Sequence, residues 1–204
     1  MKLYYFPSPN PQKIQFALNE LGLACEVVPV DLSQGEQRKP EFLALNPFGR
    51  VPVLTDGDLK LWDSHAILAY LGDKCGKLWP TSAAERAKAL QWLFFLSGHI
   101  SPAATDLVFN RIAVKLLGLP GDQDAIARGE KALPGVIGIL EGRLANSKWL
   151  LGEELSLVDC GYGPILNAIE KAGFSFSRFP KVAGYLEAIR SRRAWKETPK
   201  LPGL

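Results

Sequence analysis

Every segment of this chain that reads as a β-strand lies in its first 62 residues, and the rest is patterned for helices. That asymmetry points to an α/β unit followed by an all-α unit, with no internal repeat. Residues 2–6 (KLYYF) read as a short buried strand. Residues 25–30 (CEVVPV) read as a second, which Pro29 confines to a sheet edge or to the strand's end. Val51-Pro-Val-Leu54 and Leu59-Lys-Leu-Trp62 flank Asp56-Gly57, a strong hairpin signal. Between these strands, Asn10-Pro11 supplies an N-cap and a first-turn proline. Ile14, Ala17, Leu18 and Leu21 then recur on one helical face until Gly22 stops it. Lys39 to Leu45 reads as a short helix, Asn46-Pro47-Phe48-Gly49 as a turn, and Asp63 as the cap of a third helix with Ile67, Leu68 and Leu71 facing inward. The order is β-α-β-α-β-β-α.

The polar, broken stretch 73–82 (DKCGKLWPTS) marks the domain boundary. We expect a domain at 1–74, a linker at 75–82 and an all-helical domain at 83–204. A chain of 204 residues suits one or two domains. The first helical stretch runs from Ala83 to about Leu117, with Leu90, Leu93, Phe94, Ile100, Leu107 and Val108 supplying apolar faces. Pro102 should kink or split it. A second stretch, Asp124 to about Asn146, is weakened by Pro134 and Gly135. Ser156 to Ile169, Phe179 to Ser191 and the tail to Trp195 complete the helical half.

Composition narrows the function. The formal charge is +3, from 24 basic and 21 acidic residues, which gives no argument for nucleic acid or an anionic membrane as partner. No apolar run reaches the ~18 residues of a membrane span. The apolar start, Met1 to Phe6, is broken at once by Pro7, Pro9 and Pro11, so it does not read as a secretory signal and the expected location is the cytosol. Cys25, Cys75 and Cys160 form no CxxC and no zinc spacing; they read as buried free thiols, and no metal is expected.

Four short patterns could carry chemistry, and each also has a plain structural explanation. Ser8-Pro-Asn-Pro-Gln-Lys13 is a strand-to-helix turn, where unpaired N–H groups and the positive helix end can hold an anion such as a thiolate; simple capping also accounts for it. Val51-Pro52 suggests an edge or a special bond; it reads as an ordinary edge proline or as an open backbone site for an extended peptide. Asp63-Ser64 is a helix cap, or a site for an ammonium and a carboxylate. Ser156-Leu-Val-Asp159 is a capping-box pattern whose structural role is the favoured one.

The order of these patterns closely resembles the cytosolic glutathione transferase family. Gly35 to Leu54 (GEQRKPEFLALNPFGRVPVL) resembles phi-class and related bacterial members, and the turn Ser8 to Lys13 is similar to that of nu-class and yeast prion-like members. The resemblance implies a thioredoxin-like first domain without the redox CxxC, a helical-bundle second domain, and a cis Val51-Pro52 bond. It implies that Val51 pairs through its backbone with the cysteinyl part of glutathione, and that Asp63 and Ser64 hold its γ-glutamyl end. Arg38 or Lys39 would meet the glycyl carboxylate; Arg50 stands where many members carry Gln, and Asp63 where Glu is commoner. Ser8 and Asn10 would line the sulfur, with Tyr5 a remote third candidate. Phe95, His99 and Pro102 would wall a pocket for a hydrophobic electrophile. The implied activity is glutathione transfer in detoxification, with glutathione as co-substrate; the alternatives are a glutathione-dependent peroxidase or disulfide reductase, or a non-catalytic ligand-binding or assembly module. A homodimer is also implied, with Phe48 reaching the neighbour.

Overall fold

The structure, a computed structural model, describes residues 1–114 and 118–199. The first part contains β1 (Lys2–Tyr5), α1 (Pro9–Leu21), β2 (Glu26–Pro29), a 3-10 turn at Glu36–Arg38, α2 (Pro40–Leu43), β3 (Val53–Asp56), β4 (Leu59–Trp62) and α3 (Ser64–Cys75). The strands form one sheet in the order β2-β1-β3-β4, with β1 and β2 parallel and the other pairs antiparallel. Alternation decides the layering. Leu3, Tyr5 and Leu54 point to one face and join Ile14, Phe16, Leu18, Ile67, Leu68 and Leu71 of α1 and α3. Tyr4 and Val53 point to the other face, against Phe42 of α2 and Val30.

Three local expectations are corrected here. The first helix starts at Pro9 with Ser8 as N-cap, so Asn10 is the second helical residue. Pro9 fills the first-turn position equally well, and Pro11 still lies among the first residues, whose N–H groups have no intrahelical partner. Pro52 is not on an edge strand: β3 lies between β1 and β4. The ladder begins only at Val53, so the missing proline N–H removes no ladder bond. Cys160 is buried, but Cys25 and Cys75 are only half-buried.

The second part contains α4 (Ala83–Phe95), α5 (Ser101–Val108), α6 (Gln123–Leu144), α7 (Leu157–Lys171), α8 (Pro180–Ser191) and α9 (Arg193–Lys196). Pro102 does not split the first stretch. A π-helical turn at Leu96–Ile100 joins α4 to α5, and another at Phe109–Ala113 follows. The wider turn places the proline at the start of a new α-register, where its missing N–H is tolerated. The end assigned near Leu117 and the terminus at 204 lie outside the described residues. Pro134 lies within α6, which continues through it as one helix.

α7 is the axis of this half. It is buried from Leu157 through Ile169 and packs against α1, α3, α4, α5 and α8. One hydrophobic cluster runs through both halves. Phe16 meets Trp195 edge-to-face at 5.5 Å between ring centres. The Leu157 N–H donates to the Leu78 carbonyl at 2.8 Å, and the Arg192 guanidinium grips the Glu20 carboxylate. Gly72 lets the connecting segment lie close: a Cβ there would come within 2.4 Å of the Trp79 ring.

Candidate functional site

Strand register brings three of the sequence patterns to one end of the sheet. Tyr4 opposes Val53, and Val53 opposes Trp62. The end of β1, the start of β3 and the end of β4 are therefore neighbours. Ser8 follows the first, Val51-Pro52 precedes the second, and Asp63-Ser64 follows the third. Residues more than 50 positions apart in the chain thus share one end of the sheet, and Ser64 reaches α1 through Lys13.

Ser8 is half-buried and extended, at φ −99° and ψ 165°. It occupies the N-cap position, yet its hydroxyl caps nothing. Asn10 is exposed on the first turn. The Val51–Pro52 peptide is cis, Pro52 is buried, and the side-chain amide of Asn46 donates to the preceding carbonyl, that of Arg50, at 2.6 Å. Asp63 has φ 73°, the left-handed region that few non-glycine residues adopt. Its carboxylate accepts the His65 N–H at 2.8 Å and so caps α3. The His65 side chain and that N–H hold the Asp63 carboxyl down at about 2. Ser64 is buried, with 4% exposure.

The remaining candidates are more dispersed. Lys39 pairs with Glu36 at 3.0 Å on the surface. Arg38 is exposed and lies beside Gly49, a positive-φ residue whose Cβ would meet the Gln37 carbonyl at 2.9 Å. The Arg50 guanidinium stacks over Phe48 at 4.5 Å. Phe95 and His99 lie 5.3 Å apart, ring to ring, at the π-helical turn, and Pro102 follows them. None of these three makes a hydrogen bond or ring contact with Ser8 or Asn10. Tyr5 is removed from the sulfur candidates: it is buried, its hydroxyl donates to the Pro199 carbonyl at 2.8 Å, and burial pushes its phenol well up.

Two groups beside this site escape sequence reasoning. Lys13 is fully buried, with its ammonium nitrogen 3.4 Å from Ser64 Oγ and 3.2 Å from His65 Nε2. Burial draws its pKa down to about 7, against the opposing pull of Asp63. Burial, and then the Lys13 charge, also lower that of His65. The available signal was spacing: Lys13 stands one turn before Phe16 and Ala17 on the buried face of α1, where a lysine needs partners. Among the described residues, no cluster of three or more His, Cys, Asp or Glu could hold a metal ion, and no helix is long and apolar enough to cross a membrane.

Comparison with known proteins adds independent findings. Residues 1–73 match the family described as "Glutathione S-transferase, N-terminal domain", and residues 123–188 match "Glutathione S-transferase, C-terminal domain". Glutathione S-transferase 3 of Zea mays is 39% identical, over 97% of this chain and 92% of its own. The disulfide-bond oxidoreductase YfcG of Escherichia coli is 35% identical, over 94% of this chain and 91% of its own. A glutathione transferase of Burkholderia graminis, solved with two glutathione molecules per subunit, superposes with a TM-score of 0.88 at 33% identity. That alignment covers 98% of this chain and 89% of that one.

Proposed function

The chain belongs to the glutathione S-transferase family, and from that premise we propose that it binds glutathione at the sheet end around α1 and transfers its sulfur, as thiolate, to a hydrophobic electrophile. The thioredoxin-like first domain supplies the glutathione groove, and the helical domain supplies the wall that the electrophile meets. In this reading Asp63 takes the γ-glutamyl ammonium and Ser64 the adjoining carboxylate. Val51 pairs with the cysteinyl backbone. Arg38 or Lys39 meets the glycyl carboxylate, with Arg50 beside it; the exposed Lys39–Glu36 pair, of a kind worth about 0–1 kcal/mol, yields readily to a ligand. Phe95, His99 and Pro102 line the electrophile's side.

One observation carries the chemistry: the Ser8 hydroxyl stands at the positive end of α1 and caps nothing. A free thiol has a pKa near 8.5 and is only a few per cent thiolate at neutral pH. Lowering that value by about two units requires roughly 2.7 kcal/mol. A hydroxyl hydrogen bond to a charged acceptor supplies about 1.5–3 kcal/mol, and the helix end adds about 0.3–1. Ser8 therefore suffices as donor, and Asn10 is the second group in reach of the same turn.

Titration calorimetry with glutathione, followed by the rate with chlorodinitrobenzene, tests the reading. We expect binding and turnover in the wild type. In Ser8→Ala the pKa of the bound thiol rises by about one to two units, the share the hydroxyl supplies. An unchanged titration transfers the role to Asn10, and no binding heat removes the proposal. The Escherichia coli relative named as a disulfide-bond oxidoreductase supports a second reading, glutathione-dependent disulfide reduction, read out with hydroxyethyl disulfide. Binding without turnover of either substrate identifies a carrier. The same reading includes a cytosolic homodimer. Its support is the exposure of Phe48 (58%) and of Leu90 and Phe94 (38% and 67%), one turn apart on α4.

A further inference from the structure

The first turns of α1 bury an amine that the thiol chemistry above does not use. Lys13 Nζ contacts Ser64 Oγ and His65 Nε2, at 3.4 and 3.2 Å. His65 Nδ1 in turn lies 3.4 Å from Asp63 Oδ1. An Nδ1–H facing the carboxylate leaves Nε2 to accept from the lysine. A polar chain thus runs from the core of the first domain, through His65, to the rim of the groove, with a branch to the hydroxyl of Ser64. Resting on the glutathione reading, we propose that Lys13 is a positioning residue that takes up a proton from solvent when a carboxylate binds at Ser64, so that glutathione affinity follows the charge of this buried amine.

The surroundings of Lys13 hold the amine near the balance point. Desolvation favours the neutral form and Asp63 favours the ammonium, leaving a pKa of about 7. A second anion within about 4–6 Å favours the ammonium further. The proton goes to Nζ, and the resulting cation faces the bound carboxylate through Ser64. The other elements packed on α1 bring their charges to other partners. On α3, Tyr70 and Lys74 engage Asp56, and Asp73 pairs with Arg86. On α7, Asp159 is held by Ser156 and Tyr185, and Cys160 is fully buried. Arg192 pairs with Glu20, Arg193 pairs with Glu197, and Lys196 is exposed. Asp63 and His65 are the charged and titratable groups that face Lys13.

The experiment is calorimetry with S-methylglutathione, which has no thiol proton to release, in two buffers of different ionisation enthalpy. Near pH 7.5 the wild type should take up roughly half a proton or more per site. Its affinity should weaken by up to tenfold per pH unit above that. Lys13→Arg, whose guanidinium stays charged, should bind with no uptake and no such pH dependence. Lys13→Met should bind more weakly, also without uptake, and serves where the arginine does not fold. His65→Asn should retain the uptake. Uptake that survives in both Lys13 variants, or disappears only in His65→Asn, overturns the assignment to Lys13. Binding by the wild type with no proton uptake overturns the linkage while leaving the glutathione reading intact. Absence of any binding heat, with glutathione or its S-methyl form, removes both.

Discussion

Tyr185 donates its hydroxyl to Asp159 Oδ1 at 2.8 Å, at the centre of the helical half, where both residues are buried. Three more donors converge on the same carboxylate: the Leu150 N–H at 2.9 Å, the Ser156 N–H at 2.7 Å and the Ser156 hydroxyl at 2.6 Å. Burial pushes the Asp159 carboxyl up, and the four donors oppose this. The carboxylate ties the start of α7 to α8 and to the loop before it. Asp159→Ala leaves these donors buried and unpaired, which costs about 3–5 kcal/mol. Urea unfolding should show that loss. A variant within about 0.5 kcal/mol of the wild type would show that the donors find other partners.

Lys13 should make stability depend on pH in an unusual direction. Its folded pKa of about 7 lies below the ordinary value of 10.5. Below pH 7 the ammonium is buried in the folded state, and the full penalty applies. Between the two values the unfolded chain binds a proton that the native state lacks, so stability rises with pH. Lys13→Met removes this dependence. Its stability relative to the wild type should therefore fall by about 2–3 kcal/mol between pH ~7.5 and ~9.5. Denaturant curves for the two proteins at both pH values measure it. Parallel behaviour would mean that Nζ keeps its proton in the folded state.

Much of the first domain was legible because its signals are local. Asp56-Gly57 turns β3 into β4, Gly22 ends α1 in the left-handed conformation at φ 66°, and Asp63 caps α3. Where two neighbouring residues could play one role, sequence chose wrongly. Asn10-Pro11 and Ser8-Pro9 are both sound helix starts, and only tertiary placement of α1 selects the earlier one. Pro52 suggested an edge or a special bond; the cis peptide is the second, and the edge failed because propensity does not reveal where a ladder begins. Pro102 suggested a break because a π-helical turn has no composition signature. Lys13 and His65 were missed for a different reason. Spacing puts Lys13 on the buried face of α1, but its partner His65 is set only by the packing of α1 on α3.

Phe48 supplies the test of assembly. It projects from the Asn46-Pro47 turn with 58% exposure and carries the Arg50 guanidinium on its face. An aromatic residue held this way is costly in water and suited to a pocket on another subunit. If the homodimer forms through it, Phe48→Asp places a charge in that pocket and splits the particle, at a cost of at least 2 kcal/mol, or about 30-fold in dissociation constant. Light scattering should then fall from the dimer mass to the 22.4 kDa of one chain. The fold of each subunit should persist, because the side chain lies outside both hydrophobic clusters. A wild type that already scatters as one chain would remove the dimer. A variant that remains dimeric would move the contact to the apolar face of α4, at Leu90 and Phe94.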